Sequence, residues 1–334
     1  MADGPAPPQG KKKRRHRALA AVVAVLGVGL VLLGLWAARV WTRPAPPGAA
    51  AVELTVPPGA TLRQVAGALE AAGLVADHRV FELGARLAGG DRPVQVGTYR
   101  ILRGLGWGRI LAMLRRGDVI VIPITIPEGM PAIMVAERLA AQTRLSGPVP
   151  AIAEGSVLPA TYAARPGDTR AAVVARMQAA MQRTLAELWP RRTAAAAVRT
   201  PEEAVILASI VEKETALPAE RRRIAGLYSN RLRAGMRLEA DPTVIYPVTR
   251  GKPLGRRIRR SELAADNGYN SYVRAGLPVG PITNPGRDSI AAVLDPEPDD
   301  FLFMVADGAG GHRFASSFAE HQENVRRWFA IRRS

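Results

Sequence analysis

The stretch ASIVEKETALP (residues 208–218) places two glutamates, Glu212 and Glu214, at the end of an otherwise apolar run that Pro218 must close. Thr200, Pro201 and Glu203 form a helix-start signature: a capping residue, proline at the first helical position and glutamate at the third. A helix opened there runs to about Leu217. On it Leu207, Ile210, Val211 and Glu214 share one face, spaced i, i+3, i+4, i+7. Glu212 lies about 160° away from Glu214 around the axis. A carboxyl on a buried face has its charged form disfavoured, and its pKa rises. A rise from ~4.3 to ~6.5 corresponds to ~3 kcal/mol and suits a general acid near neutral pH. The competing reading is a solvated helix end, and the periodicity leaves both open.

The elements that must position this residue follow in the sequence. A helix ending near Gly235 delivers Tyr228, Asn230 and Arg231 in its last turns. The segment EADPTVIY then supplies Glu239, Asp241, Thr243 and Tyr246 on a loop and a helix start. Residues 265–290 are dense in Tyr, Asn, Gly and Pro, with Tyr269, Asn270 and Tyr272 as an aromatic-amide cluster of the kind that stacks on sugar rings and reads hydroxyls. The same residues also suit a loop of satisfied turns. Residues 301–314 read as a strand pair joined by a Gly-rich turn. GAGGH does not open a helix after a strand as phosphate binding requires. His312 reads as a turn cap and His321 as part of a polar helix face. Their spacing, with Glu320 between, is no recognisable metal set, so neither metal nor cofactor is expected.

Upstream, the basic run KKKRRHR (11–17) precedes 21 uncharged residues, 18–38. As a helix these span ~31 Å, about one hydrocarbon core. The apolar stretch is longer than a signal peptide's, and AAR at 37–39 is a poor cleavage site. The basic run should stay cytoplasmic, which carries residues 44–334 to the far side. The net charge is +17; residues 1–17 hold six Lys/Arg against Asp3, Arg39 and Arg43 follow, and ten net positive charges remain beyond residue 50. Such a surface favours anionic partners, and the expected topology excludes nucleic acid. No cysteine is present, so disulfide and thiol chemistry are excluded.

RPAPPGAA (43–50) reads as a stiff linker. Beyond it, AVELTVPPGATLRQVAGALEAAGLV gives a strand, a Pro-Gly turn and an amphipathic helix with Leu62, Val65, Ala66 and Leu69 at helical spacing. GTYRIL (97–102) alternates as a strand, 106–118 forms a second helix, and 119–130 a buried strand. TVPPGATLRQVAGAL resembles the opening of LysM-like glycan-binding modules. Residues 131–200 are Ala-rich, and 169–189 read as one long helix with Val173, Met177, Met181 and Leu185 on a core face.

The motifs ASIVEKET, NRL, DPTVIY, YNSY, GLPVGPI, NPG, DSI, FMVADG, GGH and the EH pair, in this order, resemble the YceG-like endolytic murein transglycosylases over roughly residues 50–330. The resemblance implies an α+β protein with an N-terminal transmembrane helix, a small LysM-like α+β module and a C-terminal mixed α/β catalytic domain. The boundaries expected are a cytoplasmic segment 1–17, a membrane helix 18–38, a linker 39–50, the module 51–128, a connecting region 129–200 and a catalytic domain 201–330. Glu214 is implied as the single acid/base. Thr215, Asn230, Glu239, Asp241, Thr243, Tyr246, Tyr269, Asn270 and Tyr272 are implied as substrate-binding residues. The implied reaction breaks the β-1,4 bond after N-acetylmuramic acid and leaves 1,6-anhydro ends on peptidoglycan strands. Implied partners are the inner membrane and peptidoglycan synthases of the penicillin-binding type. The implied location is the inner membrane in a single pass, with the catalytic domain periplasmic. Departures from the family pattern include Glu239 in place of a common Gln and Pro247 in place of Gly. Glu239 puts a second carboxylate near the expected cleft, so a hydrolase using Glu239 or Asp241, or a non-catalytic glycan-binding scaffold, stays open at this point.

Overall fold

A computed structural model describes residues 10–89 and 93–331. The first nine residues of the expected cytoplasmic segment lie outside this range. The chain divides into two compact units, Met1–Ile120 and Val121–Ser334.

The first unit begins with α1 (Gly10–Thr42), within which Leu19–Thr42 is long and apolar enough to cross a membrane, with a mean hydropathy of 2.6. The helix continues past the expected end at residue 38, and its last turn packs against the elements that follow. These are β1 (Ala51–Val56), α2 (Leu62–Ala71), α3 (His78–Leu87), β2 (Gly97–Leu102) and α4 (Trp107–Arg116). β1 and β2 pair antiparallel from Ala51↔Leu102 to Val56↔Gly97. Local chemistry sets the helix starts. Thr61 and Gln64 form a capping box on α2, and Asp77 accepts from the amides of Arg79 and Val80 at α3. Leu54, Val65, Leu69, Phe81, Tyr99, Ile101, Ile110 and Leu114 build the core. Gly97 has φ 145°, and a Cβ there would meet Val119 Cγ1 at 2.4 Å.

The second unit holds β3 (Ile122–Thr125), α5 (Ala132–Ala140), β4 (Thr161–Ala164), α6 (Arg170–Leu188), α7 (Pro201–Glu214), α8 (Arg221–Arg233), α9 (Asp241–Thr249), the short α10 (Arg260–Leu263), α11 (Arg287–Leu294), β5 (Phe303–Ala306), β6 (His312–Ala315) and α12 (Phe318–Ile331). β3 pairs with β4 and β5 with β6, each antiparallel. The whole is a mixed α+β structure. One core cluster joins β3, β4, α5 and the first half of α6. The other joins α7, α8 and α11 through Leu207, Ile210, Val211, Ile224, Leu227, Ile290, Val293 and Leu294. Each such side chain, once buried, contributes roughly 1.5–3 kcal/mol relative to exposure. This packing fixes α7 and α8 as the rigid walls from which the site is built.

Candidate functional site

Thr200 caps α7, accepting from the Glu203 amide at 3.2 Å, while Glu203 reaches back to the Arg199 amide at 2.6 Å. The helix ends at Glu214, three residues before the expected end. Thr215 is already extended, and its hydroxyl is engaged by the Leu217 amide and the Glu220 carboxyl. Glu214 therefore stands at the last position of the buried stripe Leu207, Ile210, Val211, each fully buried. The side chain as a whole is half-buried, but its Oε1 is covered and without a hydrogen-bond partner.

This carboxyl opens on a cleft of about 360 Å³ in the second unit. Its walls are Tyr228 and Arg231 from α8, Glu239 and Asp241 before and at the start of α9, Tyr272, β5, His312 and the start of α12. Burial pushes the Glu214 carboxyl up to about 7; the negative charge of Asp241 adds to the rise, while the Tyr228 hydroxyl, His312 and Arg231 oppose it. Asp241 accepts a hydrogen bond of 2.6 Å from the Tyr272 hydroxyl. Burial, with Asp241 beside it, raises the Tyr272 phenol. Arg231 is buried and donates to the carbonyls of Leu302, Arg237 and Leu238 and to Glu239 Oε2 at 3.2 Å. Glu239 takes the left-handed backbone, φ 53°, which is uncommon for a non-glycine residue and holds its carboxylate against that guanidinium.

Glu212 answers differently. Its side chain is only 6% exposed, accepts from the Gly286 amide at 2.9 Å and faces Arg221 at 3.7 Å. Arg221 also binds Glu128 and Asp288, so Glu212 ties α7 to α8 and to the start of α11. It is not a solvated helix end.

The ten residues singled out in the sequence fall into two sets. Glu214, Glu239, Asp241 and Tyr272 line the cleft. The others have structural partners. Asn270 is 1% exposed; its amide donates to the carbonyls of Glu262, Leu263 and Ala265, and its Oδ1 accepts from the Tyr272 amide. Thr243 is bonded to Ser271 and the Ala240 carbonyl. Asn230 donates to the carbonyls of Asp299 and Phe301, and Thr215 closes the turn after α7. Tyr246 and Tyr269 pack on each other at 4.8 Å between centroids. The Tyr246 hydroxyl is directed at Glu154, whose carboxyl burial pushes up to about 7. Glu154 also accepts from the Ala132 amide at 2.8 Å.

His312, expected as a turn cap, lines the cleft as well. It does not cap a turn but opens β6, where Glu220 accepts from its amide at 2.8 Å and pairs with its Nδ1 at 2.9 Å. Glu220, 92 residues away, carried no signal beyond its charge. His321 stacks on Phe303 at 5.2 Å rather than lying on a purely polar face. Among the described residues no group of three or more His, Cys, Asp or Glu could hold a metal ion.

The second unit thus sets one partly shielded glutamate, its carboxyl raised by burial, in a cleft of aromatic and carboxylate groups. The chain belongs to the YceG-like family, whose profile matches residues 54–327. It is similar to the protein named "Endolytic murein transglycosylase" of Bacillus subtilis (strain 168), 25% identical over 304 residues that cover 81% of this chain and 83% of that one. A protein of the same name from Streptococcus pneumoniae serotype 2 (strain D39) is 27% identical over 323 residues, covering 82% of this chain but 58% of its own. This chain thus spans little more than half of the streptococcal relative. The fold is similar to the crystal structure of a YceG-like protein from Listeria monocytogenes, with a TM-score of 0.50 at 22% identity over 83% of this chain and 99% of that one.

Proposed function

We propose that the chain is a membrane-anchored endolytic murein transglycosylase with Glu214 as its acid. The observation that carries this reading is the Glu214 carboxyl itself, its Oε1 covered and its proton affinity raised by burial, at the mouth of the Asp241–Tyr272 cleft. In the proposed step the protonated carboxyl donates to the bridging oxygen as the bond after N-acetylmuramic acid breaks. The carboxylate so formed takes the proton of the C6 hydroxyl of the same sugar, and that oxygen closes on C1. The product is a 1,6-anhydro end, no water is consumed, and Glu214 ends protonated as it began. An internal nucleophile has a large advantage of proximity over water. The ion pair of Arg231 with Glu239 and the hydrogen bond of Tyr272 to Asp241 give both other carboxylates fixed partners, which favours Glu214 as the group free to exchange a proton.

Further parts of the reading rest on the first unit. The β1-α2-α3-β2 order with antiparallel strands supports a LysM-like glycan-binding module, and α1 supports a single-pass anchor in the inner membrane with the basic segment cytoplasmic and the catalytic region periplasmic. Such an anchor would confine cleavage to nascent strands near the membrane, where peptidoglycan synthases work, and would end their elongation.

Digestion of purified peptidoglycan by the wild type and by Glu214→Gln, with product ends weighed by mass spectrometry, tests the proposal. Anhydro ends, one water lighter than hydrolytic ends and absent with Glu214→Gln, are expected. Hydrated ends would replace it with a hydrolase using Asp241 or Glu239. No new ends with either protein would leave a glycan-binding scaffold.

A further inference from the structure

Among the described residues nothing covers an apolar stripe on α3, and its surroundings say what does. Val80, Leu83 and Leu87 are 50%, 58% and 78% exposed. On a helix they fall within about 60° of one another. The next positions around the helix on one side are Gly84 and Phe81, and Trp41 covers them. A Cβ at Gly84 would meet the Trp41 ring at 2.5 Å, and the Trp41 and Phe81 rings lie 6.3 Å apart. A Cβ at Gly108 of α4 would meet the same indole at 2.3 Å, so Trp41 is clasped between α3 and α4. Two further bonds fix this end of α1: Arg109 Nε donates to the Thr42 carbonyl at 3.0 Å, and the Gly106 amide to the Arg43 carbonyl at 2.9 Å. On the stripe's other side stand Arg79 and Arg86, which with Arg63, His78, Glu82 and Leu83 line a shallow cleft of about 490 Å³; Glu82 pairs there with Arg63 at 3.4 Å and Arg86 at 2.6 Å, and three arginines against one carboxylate leave the cleft basic.

We propose that this face of α3 lies in the headgroup layer of the bilayer that α1 crosses, with Val80, Leu83 and Leu87 among the first acyl carbons and Arg63, Arg79 and Arg86 on lipid phosphates. The proposal rests on the reading of α1 as a membrane span. Trp41 ends the apolar segment Leu19–Thr42, at the depth where indoles settle in a membrane interface. A helix seated on that indole is therefore at interface depth. An apolar stripe edged by arginines is the pattern of a helix lying in the plane of the membrane. The guanidinium groups offer forked donors that match phosphate oxygens.

The chain has no cysteine, so single Cys substitutions give unique spin-label sites in the full chain reconstituted into lipid nanodiscs. Labels at Leu83→Cys and Leu87→Cys are compared with Val31→Cys in α1 and with exposed Glu202→Cys. Access of an aqueous nickel chelate relative to oxygen at 83 and 87 is expected to be at least about five-fold lower than at 202, as for a helix embedded at the interface. If Val31 is protected while 83 and 87 are as open to nickel as 202, the proposal is overturned and the anchor stands. A protein partner or a glycan strand as the natural occupant of the stripe gives that same result. If Val31 itself is open to nickel, the anchor reading fails, and the proposal fails with it.

Discussion

Glu220 holds His312 at two points, its Oε1 accepting from the backbone amide and its Oε2 facing the ring Nδ1, while the same Oε2 accepts from the hydroxyl of Thr215, the residue after Glu214. One carboxyl thus ties the end of α7 to the start of β6 across the cleft. The approach is close enough that a Cβ at Gly311 would sit 2.7 Å from Glu220 Oε1. Glu220→Ala strands these donors and is expected to lower stability by about 1–3 kcal/mol. It should also reduce cleavage, because His312 loses its fixed orientation beside Glu214. Urea denaturation and glycan digestion of the variant check both effects, and Gly311→Ala should weaken activity in the same direction.

The raised carboxyl at 214 makes a prediction about rate against pH. In the proposed role the acid must be protonated to act, so activity should fall as pH rises through about 7. Glu214→Gln should cost roughly 10²–10⁴ in rate. Asp241→Asn removes a negative charge that helps raise the Glu214 carboxyl, so the falling limb of the profile should move to lower pH. A digestion rate measured from pH 5 to 9 for the wild type and Asp241→Asn reads this directly.

The same shift predicts a stability effect of opposite sense to the usual acidic residue. The folded carboxyl titrates near 7, against the ordinary 4.5 when unfolded. Between these values the folded state keeps a proton that the unfolded state has released, so stability falls as pH rises across the window. Glu214→Gln removes the penalty. The variant should match the wild type near pH 4.5 and exceed it above pH 7, by up to about 3 kcal/mol. Thermal unfolding at the two pH values tests this without any substrate.

Arg221 is the cation that compensates the buried Glu212, with Glu128 and Asp288 as its outer partners. Arg221→Met leaves Glu212 uncompensated and should cost about 3 kcal/mol. Glu212→Gln, which keeps an acceptor for the Gly286 amide, should cost less. Chemical denaturation of the two variants ranks them.

What the sequence made legible was local. The side of α7 on which Glu214 falls follows from spacing alone, as do the Thr200 cap and the long α6. What it hid depends on partners far along the chain. Glu212 reads only as lying about 160° from Glu214; that Gly286, 74 residues later, and Arg221 close over it does not show in the spacing. His312 reads as a turn residue until Glu220 is placed beside it. Tyr246 and Tyr269 have the composition of a sugar platform, yet they pack on each other and the Tyr246 hydroxyl meets Glu154. The helix end at Glu214 rather than near Leu217 likewise turns on the Thr215 hydroxyl finding Glu220. A periodicity fixes a face, but not whether that face meets solvent, a ligand or another part of the chain.

Because Glu214 is the final residue of α7, the helix acts as a ruler between its cap at Thr200 and the cleft. Adding or deleting one residue along it would turn the carboxyl by about 100° and shift it by ~1.5 Å. Point changes on its surface can be absorbed, but insertions and deletions between positions 200 and 214 cannot, and any library of length variants should show this segment as a gap-free zone.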